Sequence, residues 1–321
     1  MTINYRFSTV TAGDYWFDSC IFANLHDTSG SGGAVYVSNT GTRLLIENSE
    51  IIDCSAKTHG GAIYAKTSYV VLLKTCGRSC TGTIVTGAYG QFLHVSSLGG
   101  DTLVSYVTLI GCSCQNNRFG LIYATGGFQK ISNYNSTKNN IYEYSGFDFG
   151  RSAKSLTVEF SAFVDNYEAY SICLGFWSKP NPARYLNIIR NTQGTTGYSL
   201  VFGTGIQMSD CVFLYNTNQI TQKIGSVTLT NCYVSPDHST AGVTNISPRG
   251  YSSTIDLYFY FFDNCVFIHP TPIPPPPTIP PPQTACPQSP HPTISKQRTA
   301  SYISPHHKYG LIFTFSMVLS E

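Results

Sequence analysis

Lys138, Asp165 and Arg190 follow one another at 27 and 25 residues, each directly after a short run that includes apolar residues or Ser and Thr. If those intervals are turns of one stacked repeat, the three side chains fall in a column with backbones about 4.8 Å apart. A basic group, an acid and a second basic group at that spacing are the parts of a lyase-like acid–base site. The same three residues would otherwise make a surface salt-bridge ladder of little energetic worth. They are the only catalytic candidates the sequence offers, and they are weak ones. There is no Asp-Asp pair, no Gly-His-Gly and no Arg-x-Lys element, the groups that polysaccharide hydrolysis or lysis would need.

Eleven cysteines form the other chemically capable set. They lack the paired CxxC spacing of a zinc site, and "CGRSC" from Cys76 to Cys80 has no second pair to match it. The expectation is therefore no metal and no cofactor. Cys211 and Cys232 occupy equivalent places in neighbouring segments, where one strand spacing lies within disulfide reach. Two free, buried thiols acting as small hydrophobes are the equal alternative.

The elements that would position these residues recur. "GGAVY" at Gly32, Gly33 and Tyr36 returns as "GGAIY" at Gly60, Gly61 and Tyr64, 28 residues later, and "FGLIYA" places Tyr123 at the corresponding point. A second element joins a polar turn, a small or sulfur-bearing residue, two apolar residues and a terminal Asn or Cys. It is read in "DSCIFAN" (Cys20 to Asn24), "NSEIIDC" (Glu50 to Cys54), "YVTLIGC" (Thr108 to Cys112), "FSAFVDN" (Ala162 to Asn166) and "YLNIIRN" (Asn187 to Asn191). Shortened copies begin at Cys211, Cys232 and Cys265, and "NSTKN" at Asn135–Asn139 fills a double interval. The period is roughly 25 to 30 residues, and no stretch carries the 3.6-residue rhythm of a substantial helix. Short strands at that period predict an all-β parallel β-helix, with a β-sandwich as the structural rival. On a straight strand only one residue of each apolar pair can face inward, so its neighbour needs a bend or an outer cover.

Only 11% of residues are charged, and the net charge of +2 comes from Lys296, Arg298 and Lys308 against Glu321. The first 269 residues are neutral, which argues against nucleic acid as a partner. Tyr36, Tyr64 and Tyr123 form either an exposed row that binds sugar or protein, or a packing ladder between coils. Trp16 and Trp177 carry the same two readings. "NST" at Asn135 and "NIS" at Asn245 permit N-glycosylation in a secreted chain.

Residues 1–269 are expected to form the β-helix. Pro270 to Pro292 holds 12 of the 17 prolines and reads as an extended proline-rich linker or stalk, and 293–321 as a disordered tail. No basic start followed by an apolar run marks a secretory signal, and "YGLIFTFSMVL" from Tyr309 to Leu319 is far below the roughly 20 residues of a membrane span. An incomplete chain is the accompanying expectation.

The corner element with GGAxY resembles the FxxN and GGA(I/L) repeats of chlamydial polymorphic membrane proteins. Together with "CGRSC" at Cys76, "YGQF" at Tyr89 and the proline-rich tail, it is more similar to the right-handed parallel β-helix surface proteins of trichomonads. The resemblance implies a pectate-lyase-like superhelix at a cell surface, non-catalytic and acting in adhesion or contact with host or extracellular protein or glycan. It carries over no catalytic residue. A carbohydrate-active lyase or hydrolase on the same fold and an internal scaffold are the alternatives.

Overall fold

A computed structural model describes residues 1–82, 89–96, 99–113, 120–151, 154–168, 174–176, 181–194, 199–203, 205–217, 219–221, 227–236, 243–250, 299–302 and 313–316. Every named strand pairing up to residue 250 is parallel, and among the described residues there is no helix. The chain is a parallel β-solenoid, which excludes the sandwich. Residues 1–267 and 268–321 are separate compact units. In the second, Thr299–Tyr302 pairs antiparallel with Phe313–Ser316. The proline-rich stretch 270–292, Cys265 and Trp177 lie outside the described residues.

Three walls build the solenoid. The largest sheet, of 16 strands, runs from Thr2–Ile3 to Val243–Ile246. Each coil enters it twice, with a corner between, as in Arg43–Glu47 and Glu50–Ile52. In the middle coils the two arms merge into ten-residue strands, such as Asp101–Ile110 and Ser155–Val164. A nine-stranded sheet extends from Phe7–Thr9 to Gln219–Thr221. The third wall is made of two-residue strands, including Ser55–Ala56 and Tyr167–Glu168.

Stacking in register converts the repeat into interior columns. Val35, Ile63, Leu93 and Ile122 pair successively, as do Phe147, Leu174 and Val201, and all are buried. Phe22, Ile51, Leu109, Phe163, Ile188 and Phe213 form an equivalent column at the short arm. The apolar-pair problem is thereby solved: those six face inward, while Val164 and Ile189 join Ala162, Val212 and Leu214 in a second buried cluster on the other side of the wall.

The glycine pairs work by two different constraints. Gly32, Gly60 and Gly90 have φ of 70°, 59° and 66°, a region costly for residues with a Cβ. Gly61 is needed for space, since a Cβ there would lie 2.1 Å from the Gln91 carbonyl oxygen and 2.4 Å from that of Thr81.

Candidate functional site

Each of the two corners of the large sheet is turned by one residue in the left-handed region, followed by one that points into the solenoid. At the second corner the turning residues are Asn24, Asp53, Ser79, Gly111, Lys138, Asp165, Arg190 and Tyr215, with φ between 48° and 63°. The inward residues that follow are Leu25, Cys54, Cys80, Cys112, Asn139, Asn166, Asn191 and Asn216.

The four asparagines form a continuous ladder. The Nδ2 of Asn139 donates to Oδ1 of Asn166 (3.1 Å), Asn166 to Asn191 (3.0 Å) and Asn191 to Asn216 (2.9 Å). Each Oδ1 also accepts the backbone N–H of the preceding rung, starting with Cys112 N to Asn139 at 2.8 Å. The thiols of Cys54 and Cys80 continue the column, donating to the carbonyls of Ile52 and Arg78 at 3.3 and 3.4 Å. Hydrogen bonding between these thiols and burial push Cys54 up, and burial pushes Cys80 up, so both stay protonated. Cys54, Cys112, Asn166 and Asn191 thus lie in one inward column. Cys80, Asn139 and Asn216 complete the column, although the repeat pattern did not single out all of them.

Asn24 does not belong to that ladder. It occupies the left-handed position equivalent to Asp53, and Leu25 takes the inward place. The register of the first corner shifts in the same way: Ile21 pairs with Glu50, and Asn187 with Val212. Ser49 therefore stands opposite Cys20, donating its own hydroxyl to Glu47 and accepting the Cys20 N–H at 3.0 Å. Glu50, Thr108, Ala162 and Asn187 lie one place further on. This inward place takes Cys20, Ser49, Thr75 and Ser161 in some coils and Val107, Tyr134 and Leu186 in others, so it has no fixed residue type. Cys211 and Cys232 do share the place as two buried thiols, with the Cys211 N–H directed at Cys232 Sγ at 3.3 Å. Cys76, on the outer side of the wall from Cys80, is disulfide-bonded.

The acid–base candidates lie together on the outside of the second corner. Arg190 grips Asp165 with two bonds, Nε to Oδ1 at 2.6 Å and Nη2 to Oδ2 at 2.8 Å. The hydrogen bond with Asp165 holds the Arg190 proton more tightly than usual. Lys138 is exposed at the next rung. A guanidinium fixed this way is a poor proton acceptor, and the arrangement has the form of an exposed ion pair. A further cluster, missed in the sequence, lies on the long arm. Glu159 accepts from Lys130 (2.8 Å) and Arg184 (2.7 Å). Burial pushes Glu159 up, but those two cations outweigh it and hold the carboxyl below its ordinary range.

Tyr36, Tyr64 and Tyr123 occupy one column of the nine-stranded sheet, with His94 between the last two. Tyr36 and Tyr64 stack at 5.2 Å, and His94 packs edge-on against Tyr64 and Tyr123 at 5.2 and 5.1 Å. Arg6 covers the end over Tyr36 at 5.1 Å. Burial and then the charge of His59 push His94 down to about 3. The geometry is that of a packing ladder. Asn135 is buried, so its glycosylation motif is closed in the folded chain; the Asn245 side chain is outside the described residues.

A ridge of part-exposed side chains runs along the first corner. Its left-handed positions hold Ser19, Asn48, Lys74, Asn133, Asp210 and Asn231 in six coils, but Tyr106, Phe160 and Tyr185 in three. A left-handed residue with a side chain costs roughly 1–2 kcal/mol, and only Asn and Asp relieve it readily. The three rings are nevertheless 42%, 36% and 40% exposed. Phe160 and Tyr185 stack face to face, 4.9 Å apart and 9° from parallel. Sequence periodicity missed this ridge because its members share a backbone conformation and no residue type.

No family model, curated protein or solved structure matches this chain.

Proposed function

We propose that the protein is a non-catalytic, surface-displayed β-helix that acts in adhesion or extracellular contact. The supporting observation is the ridge of Tyr106, Phe160 and Tyr185: large rings kept exposed on strained backbone, along a solenoid whose hydrogen-bonded ladders hold each coil rigidly. Strained backbone retained under part-exposed rings is characteristic of positions selected for contact. A rigid repeat presents several such groups at fixed spacing, so weak contacts add. The reading agrees with the resemblance to right-handed β-helix surface proteins of the trichomonad type. The Asp165–Arg190 ion pair gives the lyase or hydrolase alternative no free base at its central candidate.

Antibody labelling of intact cells against permeabilised cells tests it. Labelling on intact cells is expected; labelling only after permeabilisation would remove the surface reading and favour an internal scaffold.

A further inference from the structure

Asn133 interrupts the run of rings along the ridge. Ser105, Ser132, Glu159 and Arg184 pair in register immediately before it, and Val107, Tyr134, Ser161 and Leu186 follow it. Tyr106, Asn133, Phe160 and Tyr185 are therefore consecutive rungs. Phe160 and Tyr185 show what adjacent rings do there, stacking at 4.9 Å. Between Tyr106 and Phe160 the chain supplies only Asn133, leaving two strand spacings, about 9.5 Å, between aromatic rungs. Asn133, shorter than either ring, is the rung between them.

The chemistry of the interval selects the occupant. A ring face carries negative charge density and attracts the weakly positive C–H face of a saturated ring. Half-buried Asn133 at its floor offers both a donor and an acceptor. Half-buried Ser105 is adjacent in sequence to Tyr106, its hydroxyl bonded to that of buried Ser132 at 3.0 Å. An aromatic side chain from a partner would fill the space but strip water from the Asn133 amide without replacing its bonds. A nucleobase would bring phosphate to a ridge where, among the described residues, Lys74 is the one cation beside the rings, Lys130 and Arg184 being engaged by Glu159. A sugar has the apolar face and the hydroxyls together.

We infer that Tyr106, Asn133 and Phe160 form a binding slot for one pyranose ring of a neutral glycan. This inference rests on the contact role proposed above and names the ligand class of the same ridge.

The test uses the purified full chain and saturation-transfer NMR with soluble neutral hexasaccharides of glucose, mannose, galactose, xylose and N-acetylglucosamine. At least one is expected to bind. Tyr106→Asn and Phe160→Asn should each weaken it tenfold or more, and Asn133→Phe, which fills the rung, should abolish it. Tyr215→Asn, at an exposed tyrosine of the other corner, should leave affinity unchanged. Denaturation midpoints matching the parent chain establish that the variants are folded, and the two Asn variants keep the test valid if Asn133→Phe is not. Absence of binding by every hexasaccharide, undiminished binding by the slot variants, or an equal loss with Tyr215→Asn would overturn the slot. Because the purified protein is used, such a failure is separable from a failure of surface labelling on cells.

Discussion

Asn166 is tied to Asn139 on one side and to Asn191 on the other, by amide bonds of 3.1 and 3.0 Å inside the wall. Its Nδ2 also donates to the Ser136 carbonyl at 2.9 Å, and its Oδ1 accepts the Asn139 N–H at 3.0 Å. One side chain thus satisfies groups on both neighbouring coils.

Asn166→Ala should destabilise the solenoid by roughly 2–4 kcal/mol, because several buried polar groups lose a partner at once. Asn166→Cys should cost less, since Cys54 and Cys80 occupy the same column by donating to nearby carbonyls. Urea midpoints of the two variants check the order.

Gly61→Ala and Gly111→Ala should differ sharply. A Cβ at Gly61 meets two carbonyl oxygens within 2.4 Å, whereas at Gly111, with φ of 63°, it meets nothing within 4 Å. The second substitution should cost only the left-handed penalty of about 1–2 kcal/mol. The first should prevent folding or cost several times more. Yield of folded protein and thermal midpoints distinguish them.

Arg190→Ala should change stability by less than ~1 kcal/mol, as expected of an exposed ion pair. A double-mutant cycle with Asp165→Ala measures the coupling.

Two buried groups set opposite pH dependences. Burial lifts Glu168 to about 7, so the native chain keeps its proton and loses stability as pH rises from about 4.5 to 7, by up to ~3 kcal/mol. Burial and His59 push His94 down to about 3, so the native ring stays neutral and stability falls as pH drops from about 6.5 towards 3. Between about 4.5 and 6.5 the two slopes cancel. Glu168→Gln should therefore produce stability that rises over that interval, and His94→Phe stability that falls. Urea melts at half-unit steps of pH read the slopes.

Much of the fold was legible because a solenoid stacks like on like. The glycine pairs, the Tyr36, Tyr64 and Tyr123 column and the Cys54, Cys112, Asn166 and Asn191 column repeat residue type, and each recurs in space. Asn24 and Glu50 misled because the left-handed turning residue and the inward residue after it are neighbours that both accept small polar side chains. A one-place shift between coils was invisible without the backbone. The Tyr106 ridge was hidden for a related reason: its defining property is a positive φ, shared by Ser, Asn, Lys, Asp, Tyr and Phe in different coils. His94 escaped notice because a histidine replaced tyrosine in the stack.

The central claim is that the ridge aromatics serve contact and not the fold. The most direct measurement is the urea midpoint of the triple variant Tyr106→Asn, Phe160→Asn, Tyr185→Asn. Asparagine relieves the left-handed strain at each site, while the Phe160–Tyr185 stack contributes about 0.5–1.5 kcal/mol. The account predicts a stability within about 1.5 kcal/mol of the parent chain. A loss above about 3 kcal/mol would contradict it, showing that the rings are structural.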